Sequence, residues 1–408
     1  MGRLLNPLLA CSLLALVLPA MASAQEVGST APSVYASDPE FTNRAVGLGA
    51  FRLTAGAEAR IDYDSNVFAE PVDGSSDAVF RAAPYAEISR EGPLSLSLRG
   101  SLDLRRYASE SSENSEGGRV QLRAGLALPA GQLLSSEVSW DRAIEDRGDP
   151  EARTLLGLGP RRYDILTGGL AYRRTSARFL LNLAASAQKV DALDILDADR
   201  DYNAYSGQAA FGIRPGGAFY IVASAFTNRR EFRLEEIVPG VDRDTTTYGG
   251  RLGIQSDGKG LIEGRLAAGL FKLEPDDAAT QSRTGFSVDG LLTYRPQRRT
   301  AISLEMFQGD VASFRGGASA RKDSSISLRL EQEIRHNLLG RLSAGYRRTS
   351  FFSLAQQQET WRLGAEAEYL LGPNASLIAS VRYGDRDSDI PIEVFDRFMA
   401  GVGVRIRL

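Results

Sequence analysis

The chain has 408 residues, 24% of them charged, with 48 Lys and Arg against 51 Asp and Glu for a net charge of −3. Balanced charge without a long single-sign run excludes a nucleic-acid surface, which needs a basic excess, and an electrostatic tail. One cysteine and one histidine leave little for nucleophilic, metal or general-base chemistry, so no catalytic residue, metal or cofactor is expected.

The N-terminus reads as a secretory signal peptide over residues 1–24. Arg3 supplies the positive end, Leu8 to Leu18 the apolar run, and Ala22-Ser23-Ala24 a small-x-small site, so cleavage is expected after Ala24. Leu8-Leu9-Ala10-Cys11 offers a rival lipoprotein signal, but the apolar run continues well past Cys11. Residues 25–50 are polar and rich in Ala, Ser and Pro. They read as a periplasmic lead-in, too short for a transporter plug.

From residue 51 to 408 the pattern has period two. Phe51, Leu53, Ala55, Ala57, Ala59, Ile61 and Tyr63 alternate with Arg52, Thr54, Gly56, Glu58, Arg60 and Asp62. Leu94 to Leu104, Val120 to Leu128, Ile326 to Leu330, Trp361 to Tyr369 and Phe398 to Leu408 repeat it. Successive side chains of a strand point to opposite faces, so alternation marks strands with one apolar face. The connections alternate too. Long polar ones such as 64–77, 146–159 and 309–321 are followed by short ones such as Glu91-Gly92-Pro93, Pro129-Ala130-Gly131-Gln132 and Gly372-Pro373-Asn374. Nine long and eight short connections can be read along the chain. They predict a closed antiparallel up-and-down transmembrane barrel of about 18 strands, with about 16 as the alternative, short turns in the periplasm and long loops outside. A soluble sandwich would also alternate, but its connections would not sort by length. Mean hydropathy of −0.20 suits a barrel, because only alternate residues meet lipid. Trp361 with Tyr369, and Phe286 with Tyr294, bracket their strands as aromatic girdles would.

Asp62-Tyr63-Asp64-Ser65-Asn66-Val67-Phe68 closes the first strand. It resembles the signature near the start of barrels in the putative β-barrel porin 2 family, carried here by Asp62, Tyr63, Asp64, Asn66 and Phe68. The region Phe51–Leu408 resembles that family in length and strand rhythm. The resemblance implies an outer-membrane role, often beside exopolysaccharide synthesis and export, and so a Gram-negative cell and polysaccharide-export components as partners. Gly401 to Leu408 is similar to the C-terminal signal read by the barrel-assembly machinery, departing from it in ending on Leu408. Lipid and lipopolysaccharide are the remaining expected partners.

Alternation assigns Arg52, Arg60, Arg99, Asp103, Arg105, Glu137, Asp141, Arg265, Glu331, Arg362 and Glu366 to the lumen, since unpaired charge cannot face hydrocarbon. They form either a mutually neutralising wall or a selectivity surface. A barrel of this size needs a constriction. The segment 146–162, with Asp146, Asp149, Glu151 and Arg153, is the candidate for an inward-folded loop. The plainer alternative, toward which the sequence leans, is an ordinary surface loop. Function then reads as a channel for polysaccharide or other polar solutes. The alternatives are a general diffusion porin and a non-conducting structural barrel. An enzyme is not expected, because His336 lies beside a predicted periplasmic turn.

Overall fold

Strict alternation over a dozen residues leaves the backbone one way to hide its polar groups in lipid, which is to pair every strand on both sides. The computed structural model describes residues 34, 38–41, 45–153, 158–234, 242–256, 258, 260–278, 280–315, 318, 320–352 and 354–408. The signal peptide, its cleavage site and most of the lead-in lie outside these residues. The strands are β1 (Val46–Leu48), β2 (Phe51–Asp64), β3 (Asp77–Arg90), β4 (Leu94–Tyr107), β5 (Ser115–Leu128), β6 (Gln132–Ile144), β7 (Arg162–Thr175), β8 (Phe179–Ala192), β9 (Tyr202–Ile213) and β10 (Phe219–Phe232). They continue with β11 (Thr245–Ser256), β12 (Ile262–Pro275), β13 (Arg283–Gln297), β14 (Thr300–Val311), β15 (Arg321–Arg335), β16 (Leu338–Phe351), β17 (Gln357–Leu370), β18 (Ala375–Ser388) and β19 (Phe395–Arg407).

Strands β2 to β19 pair in sequence, and β19 pairs back onto β2, so 18 strands close an antiparallel barrel. The alternative of 16 is thereby set aside. The short strand β1 folds back along the lower end of β2, Val46 opposite Leu53. The closing seam runs from Met399 opposite Asp64 to Arg407 opposite Gly56. At Gly401 a Cβ would lie 1.7 Å from Asp62 Oδ1, so glycine there lets the seam close over that carboxylate. At the short-turn end, Ala130 and Gly131 both take positive φ, 60° and 71°. That is the backbone a tight hairpin between twisted strands requires.

Outward residues form an apolar belt. On β4 it runs from Leu94 to Leu104 and gives way to Arg106, which pairs with Glu116 of β5. Further charged pairs ring the outer face at the same height. They include Arg142–Asp164 (2.8 Å), Lys189–Asp191 (2.6 Å) and Lys272–Glu274 (2.5 Å). Trp361, Tyr369, Phe286 and Tyr294 are all exposed on this outer face. Most strands have 12 to 15 residues, more than the ~9–11 that cross a bilayer. The surplus stands at the long-loop end, where the outward faces become charged. β18 therefore continues to Ser388 and β10 to Phe232. With water on the outside there, polarity no longer alternates.

Candidate functional site

The site is the lumen and its mouth. Below the loops of the mouth, ion pairs line the inward wall, with Arg119 and Asp141 highest, then Arg99–Glu87 (3.4 Å), Arg123–Glu137 (3.0 Å), Arg265–Asp289 (2.6 Å) and Arg295–Glu263 (2.5 Å), and Arg52–Glu91 (2.9 Å) at the exposed rim of the short-turn end. The side chains of Arg99, Arg119 and Arg123 keep 45, 43 and 37% of their exposure, whereas Arg147 and Arg321 at the mouth keep 3 and 5%. Water therefore reaches the lumen beside β4 and β5, whereas Glu331, Glu333 and Glu368 on β15 and β17 are buried and the mouth is packed.

Nearer the seam, Arg60 bonds Glu58 (3.3 Å) and Asp62 (3.1 Å), and Arg105 bonds Asp103 (2.7 Å). Arg341 bridges Glu331 (3.2 Å) and Glu366 (3.0 Å). Each charged residue that alternation assigns to the lumen makes an ion pair, Arg362 with Asp149 of the mouth loop (3.4 Å).

Two features depart from the sequence reading. The inward face is not polar throughout. Tyr163, Ile165, Val190, Tyr202, Ala204 and Phe232 form a buried cluster inside the barrel at the tops of β7 to β10. Phe314, from the connection between β14 and β15, packs on it with ring centroids 6.1 Å from Tyr202 and 6.3 Å from Phe232. A strand apolar on both faces hides its inward face from an alternation rule.

The connection after β6 is also not a surface loop. Its described residues 145–153 fold into the mouth and reach the far wall. Counted round the ring, β15 and β16 stand nine places from β6 and β7 (15 − 6 = 16 − 7 = 9), half of 18. There Glu151 accepts from Arg321 Nη1 (2.5 Å), Ser313 Oγ (2.8 Å) and the Phe314 amide (2.9 Å). Arg362 donates to the Gly148 carbonyl (2.9 Å) and to Asp149 Oδ1 (3.4 Å), and Arg386 to the Asp149 carbonyl (3.2 Å). Nearer its own strands the loop is held by Arg147 Nε, which donates to Glu113 Oε2 (3.1 Å), and by Arg153 Nη2, which donates to Asp197 Oδ2 (2.5 Å). The Arg153 amide also donates to Glu145 Oε2 at 3.1 Å.

The seam motif serves this loop. Asp64 is fully buried and takes two bonds from Arg397 Nε, at 2.9 and 3.1 Å, while Arg397 Nη1 reaches Asp146 at 3.2 Å. Asn66 donates to the carbonyls of Glu70 (2.8 Å) and Asp396 (2.9 Å), tying the first loop to the last strand. Phe68 lies under the Arg147 guanidinium, 5.7 Å from ring centroid to Cζ. Tyr63 instead points outward. The role of Arg397 escaped the sequence, since nothing local links it to residues 333 positions away.

Burial raises the carboxyls of Glu145 and Asp149 above their usual range, against opposing arginines. Burial also pushes Asp146 up, but Arg397 and Arg362 outweigh it and hold that carboxyl well below the carboxylate range.

A closed barrel with an apolar belt, a watered charged lumen and a loop-narrowed mouth defines an outer-membrane β-barrel of porin type. The chain belongs to the family described as putative beta-barrel porin 2, whose model matches residues 38–408. No curated protein matches the sequence. Among solved structures, the chain is similar to OpdK of Pseudomonas aeruginosa, crystallised with vanillate. Identity is 15% over 87% of this chain and 99% of that one, with a TM-score of 0.46. It is similar at 12% identity to the FrpB iron transporter of Neisseria meningitidis, over 82% of this chain and 62% of that one, TM-score 0.43. Outer-membrane OmpT of Vibrio cholerae matches at 12% identity over 90% of this chain and 100% of that one, TM-score 0.39.

Proposed function

We propose that this porin is a passive conduit for polar solutes, with polysaccharide as its cargo class, kept narrow at rest by the loop after β6. The observation that carries this reading is the contrast in exposure between Arg99, Arg119 and Arg123 below and Arg147 and Arg321 above. Charged pairs that stay wet inside a closed wall need an aqueous lumen, and the packed loops above them narrow its entrance. Arginine forks on that wall suit sugar hydroxyls and carboxylates as hydrogen-bond acceptors. Such a protein is a channel and not an enzyme. His336 sits exposed in the short turn after β15, its ring 5.6 Å from that of Phe41, away from the mouth. Export through the inner membrane with cleavage after Ala24, insertion by the barrel-assembly machinery, contact with lipopolysaccharide and work beside polysaccharide-export components belong to the same reading.

A liposome-swelling assay tests it. Vesicles holding the protein should swell in isotonic disaccharide, faster when residues 147–160 are replaced by a short Gly/Ser linker. No swelling with either form refutes a conduit and favours a non-conducting barrel, the reading the packed mouth would then support. Unchanged secreted polysaccharide in a deletion strain, with swelling intact, would leave a general diffusion porin.

A further inference from the structure

Four guanidiniums, those of Arg321, Arg347, Arg362 and Arg386, project inward from four consecutive strands, β15 to β18, onto one patch of the mouth. From their own wall they meet two acids, Asp323, 3.5 Å from Arg321 Nε and also acting on Arg347, and Glu393, which acts on Arg386, together with Thr360, 3.2 Å from Arg386 Nε. Their other partners come from the loop that crosses from the opposite wall. Those partners are all oxygen acceptors: Glu151 Oε2, Asp149 Oδ1 and the carbonyls of Gly148, Asp149 and Pro150. An arginine patch with so few acids of its own needs an anion from elsewhere, because buried charge must be paired.

We propose that this patch is a binding site for a carboxylate-bearing solute, and that Asp149 and Glu151 occupy it as a self-ligand until such a solute displaces them. The inference rests on the conduit reading and names its preferred cargo. Planar guanidinium forks match carboxylates bidentately. A chain that alternates carboxylates with carbonyl or hydroxyl oxygens, as an oligouronate does, offers the same atoms as the loop from Gly148 to Glu151. Two further observations make the loop a replaceable occupant. Its fit is incomplete, since Arg347 Nη1 is buried without a hydrogen bond and stands 3.9 Å from Asp149 Oδ1. Glu151 also docks with φ at +63°, in the left-handed region where a non-glycine residue is strained, and release removes that strain.

The test uses the folded full-length barrel with Ala152→Cys as the reporter, its thiol probed by a polar maleimide. At matched ionic strength, glutarate or an oligogalacturonate should speed labelling about tenfold, while chloride and a neutral oligosaccharide should not. Response to glutarate identifies small dicarboxylates as sufficient; response to the oligogalacturonate alone identifies the polymer. By calorimetry, the D149N/E151Q variant, which lacks the self-ligand, should bind the same probe roughly tenfold more tightly than wild type. Heat-modifiable migration first verifies that the variant folds, and the Ala152→Cys measurement stands if it does not. No acceleration by either carboxylate, equal acceleration by chloride, or unchanged affinity in the folded variant would overturn the proposal. Carboxylate-driven labelling without solute passage would refute the conduit and leave this site standing.

Discussion

Replacing Leu98 by arginine should destabilise the barrel far more than the same change one residue earlier. On β4 the apolar belt runs from Leu94 to Leu104. Ten steps of ~3.4 Å, tilted by ~40°, span roughly 26 Å, the thickness of the lipid-facing band. Leu98 lies within one residue of its centre and is 46% exposed to lipid. An arginine there should cost ~2–4 kcal/mol, a factor of roughly 30 to 800 in the folding equilibrium. Ser97 faces the wet lumen opposite Arg123, so Ser97→Arg should cost under ~1 kcal/mol, mostly from like charge. Equilibrium urea unfolding in phospholipid vesicles measures both. Equal costs for the two variants would refute the assignment of faces on which the description of the lumen depends.

Arg397→Ala should cost about 3–5 kcal/mol by the same assay, because it leaves Asp64 buried without its cation. It should also free Asp146 and raise labelling of the mouth loop. A cost no larger than that of Arg52→Ala, at the exposed rim, would contradict the clasp. On acidification, the raised carboxyls of Glu145 and Asp149 bind protons more tightly in the docked loop than in the released one, so those groups favour docking as pH falls toward their folded values. Asp146 has the opposite sign, its stabilisation present above the ordinary carboxylate range and lost only as pH falls below it. Labelling at Ala152→Cys, taken relative to a free thiol at the same pH because the thiolate is what reacts, should therefore hold or decline from neutral pH down to about 5 and rise only in stronger acid; a relative rise between neutrality and about 5 would contradict this. On whole cells, a cysteine at exposed Ser76 should react with an impermeant maleimide and one at Gly216 or Asn374 should not; the reverse would invert the orientation.

The wall was legible in the sequence because its physics is local. Leu94 to Leu104 must alternate to face lipid and water, and Pro129 to Gln132 must turn tightly, whatever the rest of the chain does. The mouth was not legible, because its order is set by partners far along the chain. Asp149 and Glu151 look like solvated loop acids until β15 to β18 bring their arginines across the lumen. Asp64 looks like a strand-end aspartate until the seam places Arg397 beside it. Tyr163, Ile165 and Val190 belong to strands whose inward face is apolar, so no polar partner pattern announces which way they point.

Single-channel recording in planar bilayers, comparing the intact barrel with one whose residues 147–160 are replaced by a short linker, tests the central claim most directly. The structure predicts small or intermittent conductance for the intact protein and a steady, larger one for the trimmed barrel, with a reversal potential leaning to anions in a salt gradient. A trimmed barrel that folds, inserts and stays silent would contradict an aqueous lumen narrowed by this loop.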